Sequence, residues 1–134
     1  MELPKGSINK LAGCDERLHV LFIEVAKDTP IKFVVTHGYR SIEEQKNLYA
    51  LGRTKQGKIV TNCDGEKIKS KHNYYPSKAA DIALIIDGKL NWEVKNYIEF
   101  GEYVKKIAAK IGIKISWGGD WDKFKDYPHY EIVD

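Results

Sequence analysis

The residues with most chemical potential in this sequence are two histidines and two aspartates. His72 and Asp81 lie nine positions apart in the stretch SKHNYYPSKAAD, with Pro76 between them. The YYPS segment reads as a turn, so the two side chains can return toward one centre. His129 follows in the stretch DYPH, which begins at Asp126. Two imidazoles and a carboxylate suit a catalytic zinc ion, which takes three protein ligands and keeps a fourth position for water. That water needs a base within hydrogen-bond reach that is not itself a ligand. Asp126 precedes His129 by three residues, and Pro128 between them lets it approach from outside the ligand set. Glu131 competes for the role, because side chains two apart on a strand share a face.

Arg40 stands where a strand passes into a helix, in HGYRS. A guanidinium there can grip a carboxylate through two parallel hydrogen bonds, or it can pair with Glu43 or Glu44 at the surface. Local sequence leaves both open. His37 reads as a neighbour of the groove rather than a ligand, and as a candidate donor to a polarised oxygen. His19 lies beside an apolar helical stripe and reads as a packing or surface residue. Trp117 and Trp121 read as packing that shapes the floor of the site. Asp120 and Asp122 read as loop carboxylates.

The elements that must position these groups follow from periodicity. A short turn of helix is expected after Pro4. A helix from about Asp15 to Lys27 carries Leu18, Leu21, Phe22 and Val25 at i, i+3, i+4, i+7. Residues 31–36, IKFVVT, read as a strand. Ser41 and Glu44 have capping-box spacing for a helix running to Leu51. Residues 53–70 read as a long polar loop, with a short hairpin around Asp64-Gly65. Asp81 opens a buried strand to Ile86, and Asp87-Gly88 is a turn. A helix from about Glu93 to Lys110 bears Val104, Ile107, Ala108 and Ile111, and Gly112 ends it. Short strands are expected at 113–117 and 130–133, with His129 at the head of the last. Helices and strands do not alternate regularly, so the expected class is α+β with a small, mainly antiparallel sheet.

The chain has 134 residues and is expected to form one domain over 1–134. Its 22 basic and 19 acidic residues give a net charge of +3, compatible with an anionic polymer. No basic run with interleaved aromatics is present, so nucleic acid is not an expected partner. No stretch is long enough to span a membrane, and the first ten residues lack the apolar segment of a signal peptide. The expectation is a soluble monomer made in the cytoplasm. Cys14 and Cys63 read as two reduced thiols, although a disulfide between them stays open at this level.

Five segments together resemble one family: GYRS at 38–41, EEQKNLYALGRT at 43–54, IVTN at 59–62, SKHNYYPSKAADI at 70–82 and WGGDWDKFKDYPHYEI at 117–132. They are similar to zinc L-alanyl-D-glutamate endopeptidases, small peptidoglycan peptidases of phage endolysins and related bacterial enzymes. That family shares its fold with D-alanyl-D-alanine carboxypeptidases and the hedgehog signalling domain. The resemblance implies one zinc ion on His72, Asp81 and His129, with Asp126 as base. It also implies that Arg40, Ser70 and Gln45 hold the substrate peptide, with His37 beside them. The implied partner is a peptidoglycan stem peptide, reached after release from the host cytoplasm, with no separate wall-binding domain. Two alternatives are a D-alanyl-D-alanine carboxypeptidase on the same site and a non-enzymatic, zinc-stabilised binding domain. Many members of the family have seven positions from the first His to the Asp, so the Tyr74–Pro76 loop must bulge here. A small residue is commoner where this chain has His37.

Overall fold

The computed structural model describes residues 1–59, 61, 63–65 and 70–134. Along the chain run α1 (Lys5–Ala12), α2 (Glu16–Asp28), β1 (Lys32–His37), α3 (Ile42–Ala50), a 3-10 turn (Lys71–Asn73), β2 (Ala79–Ile86) and β3 (Lys89–Asn91). Then come α4 (Val94–Ile111), β4 (Ile115–Trp117), a second 3-10 turn (Gly118–Asp120) and β5 (His129–Ile132). The strands form one antiparallel sheet in the order β1-β2-β5-β4, with β3 paired to the far end of β2. This is the α+β class with a small antiparallel sheet that the sequence suggests.

Alternation along the strands separates two faces. Phe33, Val35, Ala80, Ile82, Leu84, Trp117, Tyr130 and Ile132 point into the core, where α2 and α4 cover them. The α2 stripe Leu18, Leu21, Phe22 and Val25 is fully buried as its spacing requires. On α4 the buried stripe begins earlier than expected, at Tyr97, Phe100, Gly101, Val104 and Ala108. Ile107 and Ile111 only flank it. Aromatic contacts join the layers, with Phe22 edge-on to Tyr130 at 5.5 Å and Phe33 against Phe100 at 5.0 Å.

The opposite face carries His37, Asp81, His129 and Glu131. Antiparallel register sets Asp81 directly across from His129 on β5 and from His37 on β1. A β-bulge between Val35 and His37 is decisive for the last pair. Val35 pairs with Ile82 on the core face, and Thr36 is the extra residue. His37 is thereby re-aimed to the face of Asp81.

Several expectations are adjusted. The first helix has two turns rather than one and covers the free edge of β1, where Val35 N–H donates to the buried Ser7 Oγ at 2.9 Å. Asp81 lies inside β2, which starts at Ala79. The Asp87-Gly88 turn, with φ of 54° and 74°, closes a hairpin to β3, a strand too short and polar to read from sequence. The Ser41–Glu44 capping box is formed. The hairpin suggested around Asp64-Gly65 would need residues 66–69, and those, like Val60 and Asn62 of the 59–62 segment, lie outside the described residues. Cys14 and Cys63 are both free thiols. Burial pushes Cys14 up to about 11, so it packs as an inert side chain.

Asp15 locks α2 to the start of β2. Its carboxylate accepts Arg17 N–H at 2.9 Å, the Arg17 guanidinium at 2.8 Å and Lys78 Nζ at 3.2 Å. The Arg17 hydrogen bond, more than burial opposes it, holds this carboxyl well below the usual range. A carboxylate with a depressed folded pKa stabilises the fold above its unfolded value, about 3.9, and loses that contribution as pH falls toward the folded value. Asp15→Ala is expected to cost about 1–2 kcal/mol at neutral pH. The deficit should shrink below about pH 4, as read from urea unfolding across a pH series.

Candidate active site

His72 is held by a turn that is stitched to the segment after β1. Ser70 Oγ accepts His72 N–H at 3.2 Å, and Asn73 Oδ1 accepts Ser70 N–H at 3.0 Å. Asn73 Nδ2 donates to Arg40 O at 2.8 Å, and Arg40 N–H donates to His72 O at 2.7 Å. The imidazole Nδ1 lies 2.7 Å from Gly38 O and must donate to it. This leaves Nε2 as the lone-pair nitrogen. It is buried and has no hydrogen-bond partner. The nine-position spacing to Asp81 is absorbed outward, since Tyr74 and Tyr75 are exposed and Tyr75 stands edge-on to Tyr39 at 5.2 Å.

Asp81 is the shared partner of the whole arrangement. Its Oδ1 lies 3.4 Å from His72 Nε2 and 3.2 Å from His129 Nδ1. Its Oδ2 lies 3.7 Å from His37 Nδ1 and 4.0 Å from Arg40 Nη2. Burial opposes charge on Asp81, but the imidazoles of His129 and His72 beside it outweigh that and keep the carboxyl well below the usual range. Burial also opposes charge on His129, yet its bonds to Asp81 and Glu131 raise it to about 9.

These distances bear on whether a metal fits. Ligand atoms of His72, Asp81 and His129 all lie within 4.8 Å of one another, the one such group among the described residues. A tetrahedral ion with bonds of about 2.0–2.1 Å separates its ligand atoms by roughly 3.3–3.4 Å. The two observed edges, 3.4 and 3.2 Å, match that spacing. The unpartnered His72 Nε2 is the kind of buried polar atom that a cation would satisfy. The donor set therefore fits a divalent metal.

Asp126 sits beside this group without joining it. Its Oδ2 is 3.8 Å from His129 Nδ1, and 49% of its side chain is exposed. Burial first, then the nearby Asp81 charge, raise its pKa. Its turn is fixed by backbone bonds from Asp126 N–H to Gly118 O at 3.1 Å and from His129 N–H to Asp126 O at 3.0 Å. A Cβ at position 118 would run into the Asp126 carbonyl, so this close approach requires glycine.

Glu131 shares the face of His129, as strand alternation suggests, but it lies on the other side of the ring. Its Oε1 is 2.8 Å from His129 Nε2. That contact fixes which nitrogen of His129 is turned toward Asp81, a different job from the base that the spacing also allowed. Trp121 packs against the same ring at 5.1 Å and donates to Ser116 Oγ. Trp117 is buried in the core and donates to Tyr127 O. Asp120 pairs with Lys105 at 3.0 Å, and His19 lies on α2 away from the cleft.

The four remaining candidates divide by exposure. Arg40 lines the cleft with its side chain 15% exposed, and His37 lines it from the rim. Ser70 also lines it while capping the His72 turn. Gln45 is fully buried and does not. Its Oε1 accepts Arg40 Nη1 at 2.8 Å, and its Nε2 donates to Thr61 Oγ1 and Cys63 O at 3.1 and 2.7 Å. Gln45 can act on a bound molecule only by holding Arg40. The cleft has a volume of about 970 Å³. Sequence reasoning missed its α3 wall, although Glu44, Asn47, Leu48 and Leu51 repeat at i, i+3, i+4, i+7.

Comparison with known proteins gives four consistent likenesses. Residues 1–133 match the family model described as phage L-alanyl-D-glutamate peptidase. The peptidoglycan L-alanyl-D-glutamate endopeptidase CwlK of Bacillus subtilis is 39% identical over 112 residues, 81% of this chain and 65% of CwlK. The L-alanyl-D-glutamate peptidase of Escherichia phage T5 is 26% identical over 129 residues, 96% of this chain and 86% of that protein. Among solved structures, the L-Ala D-Glu endopeptidase ChiX of Serratia marcescens superposes with a TM-score of 0.77 at 24% identity, covering 95% of this chain and 86% of ChiX. The last is a likeness of fold.

The Glu131 contact yields a direct expectation. Removing a carboxylate that orients a metal-binding imidazole typically costs about 10- to 100-fold in metal affinity. Glu131→Ala should weaken the affinity of the site for a divalent cation by that order while leaving the fold intact, as measured by competition with a chromogenic chelator.

Proposed function

This chain belongs to the phage L-alanyl-D-glutamate peptidase family, and we propose that it hydrolyses the L-alanyl-D-glutamate bond of peptidoglycan stem peptides as a zinc peptidase. The observation that carries this reading is the convergence of His72, Asp81 and His129, whose ligand atoms lie within 4.8 Å of one another in an open cleft, with Asp126 alongside. His72, Asp81 and His129 would hold the ion. Zinc in that position supplies Lewis-acid polarisation of the scissile carbonyl and acidifies water toward neutrality.

The residues of the chain divide the remaining work. Asp126 takes the proton from the attacking water and passes it to the departing amine of D-glutamate. Arg40 grips the α-carboxylate that D-glutamate keeps free, since Gln45 occupies one of its five N–H donors and fixes the fork. Ser70 keeps the His72 turn in place and lines the approach. His37, brought to this face by the β1 bulge, offers an imidazole N–H to the polarised oxygen. The phage relative supports a role in lysis of a bacterial host. Among the described residues no helix is long and apolar enough to cross a membrane.

A digest of purified peptidoglycan by the zinc-loaded protein, read by mass spectrometry, tests this reading. Fragments ending in L-alanine and beginning with D-glutamate are expected. Release of terminal D-alanine alone would replace it with a carboxypeptidase, and no cleavage by zinc-loaded protein would favour a binding domain. Asp126→Ala should retain one zinc and lose at least about 100-fold in kcat. Arg40→Lys should raise KM more than it lowers kcat, because the two-point grip is lost away from the reacting atoms. Steady-state kinetics on a stem tripeptide separates the two effects.

A further inference from the structure

The cleft continues past Arg40 along α3. Glu44, Asn47, Leu48 and Leu51 wall it, and Lys55 lines it beyond the helix end. The first three lie on one face of α3, and Leu51 follows at its C-cap. Lys55 is folded back against that face. Leu51 and Lys55 form a β-bridge, Gly52 N–H donates to Lys55 O at 2.9 Å, and Lys55 Nζ reaches Asn47 Oδ1 at 3.1 Å. Its ammonium thus rests on a neutral amide, and among the described residues no carboxylate pairs with it. Glu44, the acid on this wall, is engaged in capping α3, with its Oε1 accepting Ser41 N–H at 3.2 Å.

One wall therefore presents Arg40 near the centre, an apolar strip of Leu48 and Leu51, and a second cation further along. We propose that this wall is the subsite for the residue after D-glutamate, and that Lys55 binds a carboxylate at the end of that residue's aliphatic side chain. The proposal rests on the assignment of Arg40 to the D-glutamate carboxylate, which points the leaving half of the peptide along α3. The leucines cover the methylenes, and Lys55 separates two substrate classes. A diaminopimelate side chain ends in a carboxylate beside its amine, whereas a lysine side chain ends in an amine alone. The wall favours the first.

The test titrates zinc-loaded wild-type protein and Lys55→Met with γ-D-glutamyl-meso-diaminopimelate and γ-D-glutamyl-L-lysine, with cleavage of the parent L-alanyl tripeptides followed in parallel. Wild-type protein should bind the diaminopimelate dipeptide roughly threefold to fivefold more tightly, the size of a partly exposed charge pair. Lys55→Met should abolish that difference without weakening the lysine dipeptide. An unchanged affinity ratio in the variant, or no detectable binding of either dipeptide, overturns the subsite. An affinity difference that depends on Lys55, without cleavage of either tripeptide, upholds the subsite and strikes the peptidase reading instead.

Discussion

The rest of the structure depends on one carboxylate, partly buried, with its side chain 16% exposed. Asp81 is the third residue of β2, a strand whose residues Ala80, Ile82 and Leu84 feed the core. A charge in that position is costly unless it is paired on several sides. The fold meets this demand from four segments at once: β1 brings His37, the segment after it brings Arg40, a 3-10 turn brings His72, and β5 brings His129. Slipping β5 by one residue would turn His129 into the core and Tyr130 out of it. The aromatic packing of Tyr130 against Phe22 and Trp117 therefore guards the register that the site needs.

Precision at the site comes from groups that would not touch a substrate. Gly38 O selects the His72 nitrogen that faces Asp81, and Glu131 does the same for His129. Gln45 ties Arg40 to Thr61 and Cys63, so that one buried amide joins the cleft's guanidinium to two other residues of its lining. Gly118 admits the Asp126 backbone at a distance no other residue allows. The rigid parts are a sheet and short, cross-linked turns. The open parts are Asp126 and His37, whose side chains are 49% and 61% exposed. This distribution suits a centre with fixed donors and an accessible base.

Much of this was legible in the sequence where local rules operate. The apolar stripe of α2, the Ser41–Glu44 capping box and the Asp87-Gly88 turn depend on neighbours a few residues away. The candidate ligands were legible by residue type and by family resemblance, and the fold does bring His72, Asp81 and His129 together. What escaped depends on non-local geometry. The bulge that re-aims His37 needs β2 as a reference, and β3 exists only because β2 offers it an edge. Alternation correctly put Glu131 on the face of His129 but could not say on which side of the ring it would lie. The resemblance put Gln45 among the residues that hold the substrate, but nothing local in the sequence shows that it is buried behind Arg40 and bonded to Thr61 and Cys63.

The central claim is that three donors from a turn and two strands form one metal centre. X-ray absorption at the zinc edge, on protein loaded with one equivalent, tests it most directly. The account predicts a nitrogen and oxygen shell at about 2.0–2.1 Å with no sulfur, lost on His72→Ala. A sulfur scatterer near about 2.3 Å, which would point to Cys63 in the same cleft, or zinc that remains bound unchanged in His72→Ala, would contradict it.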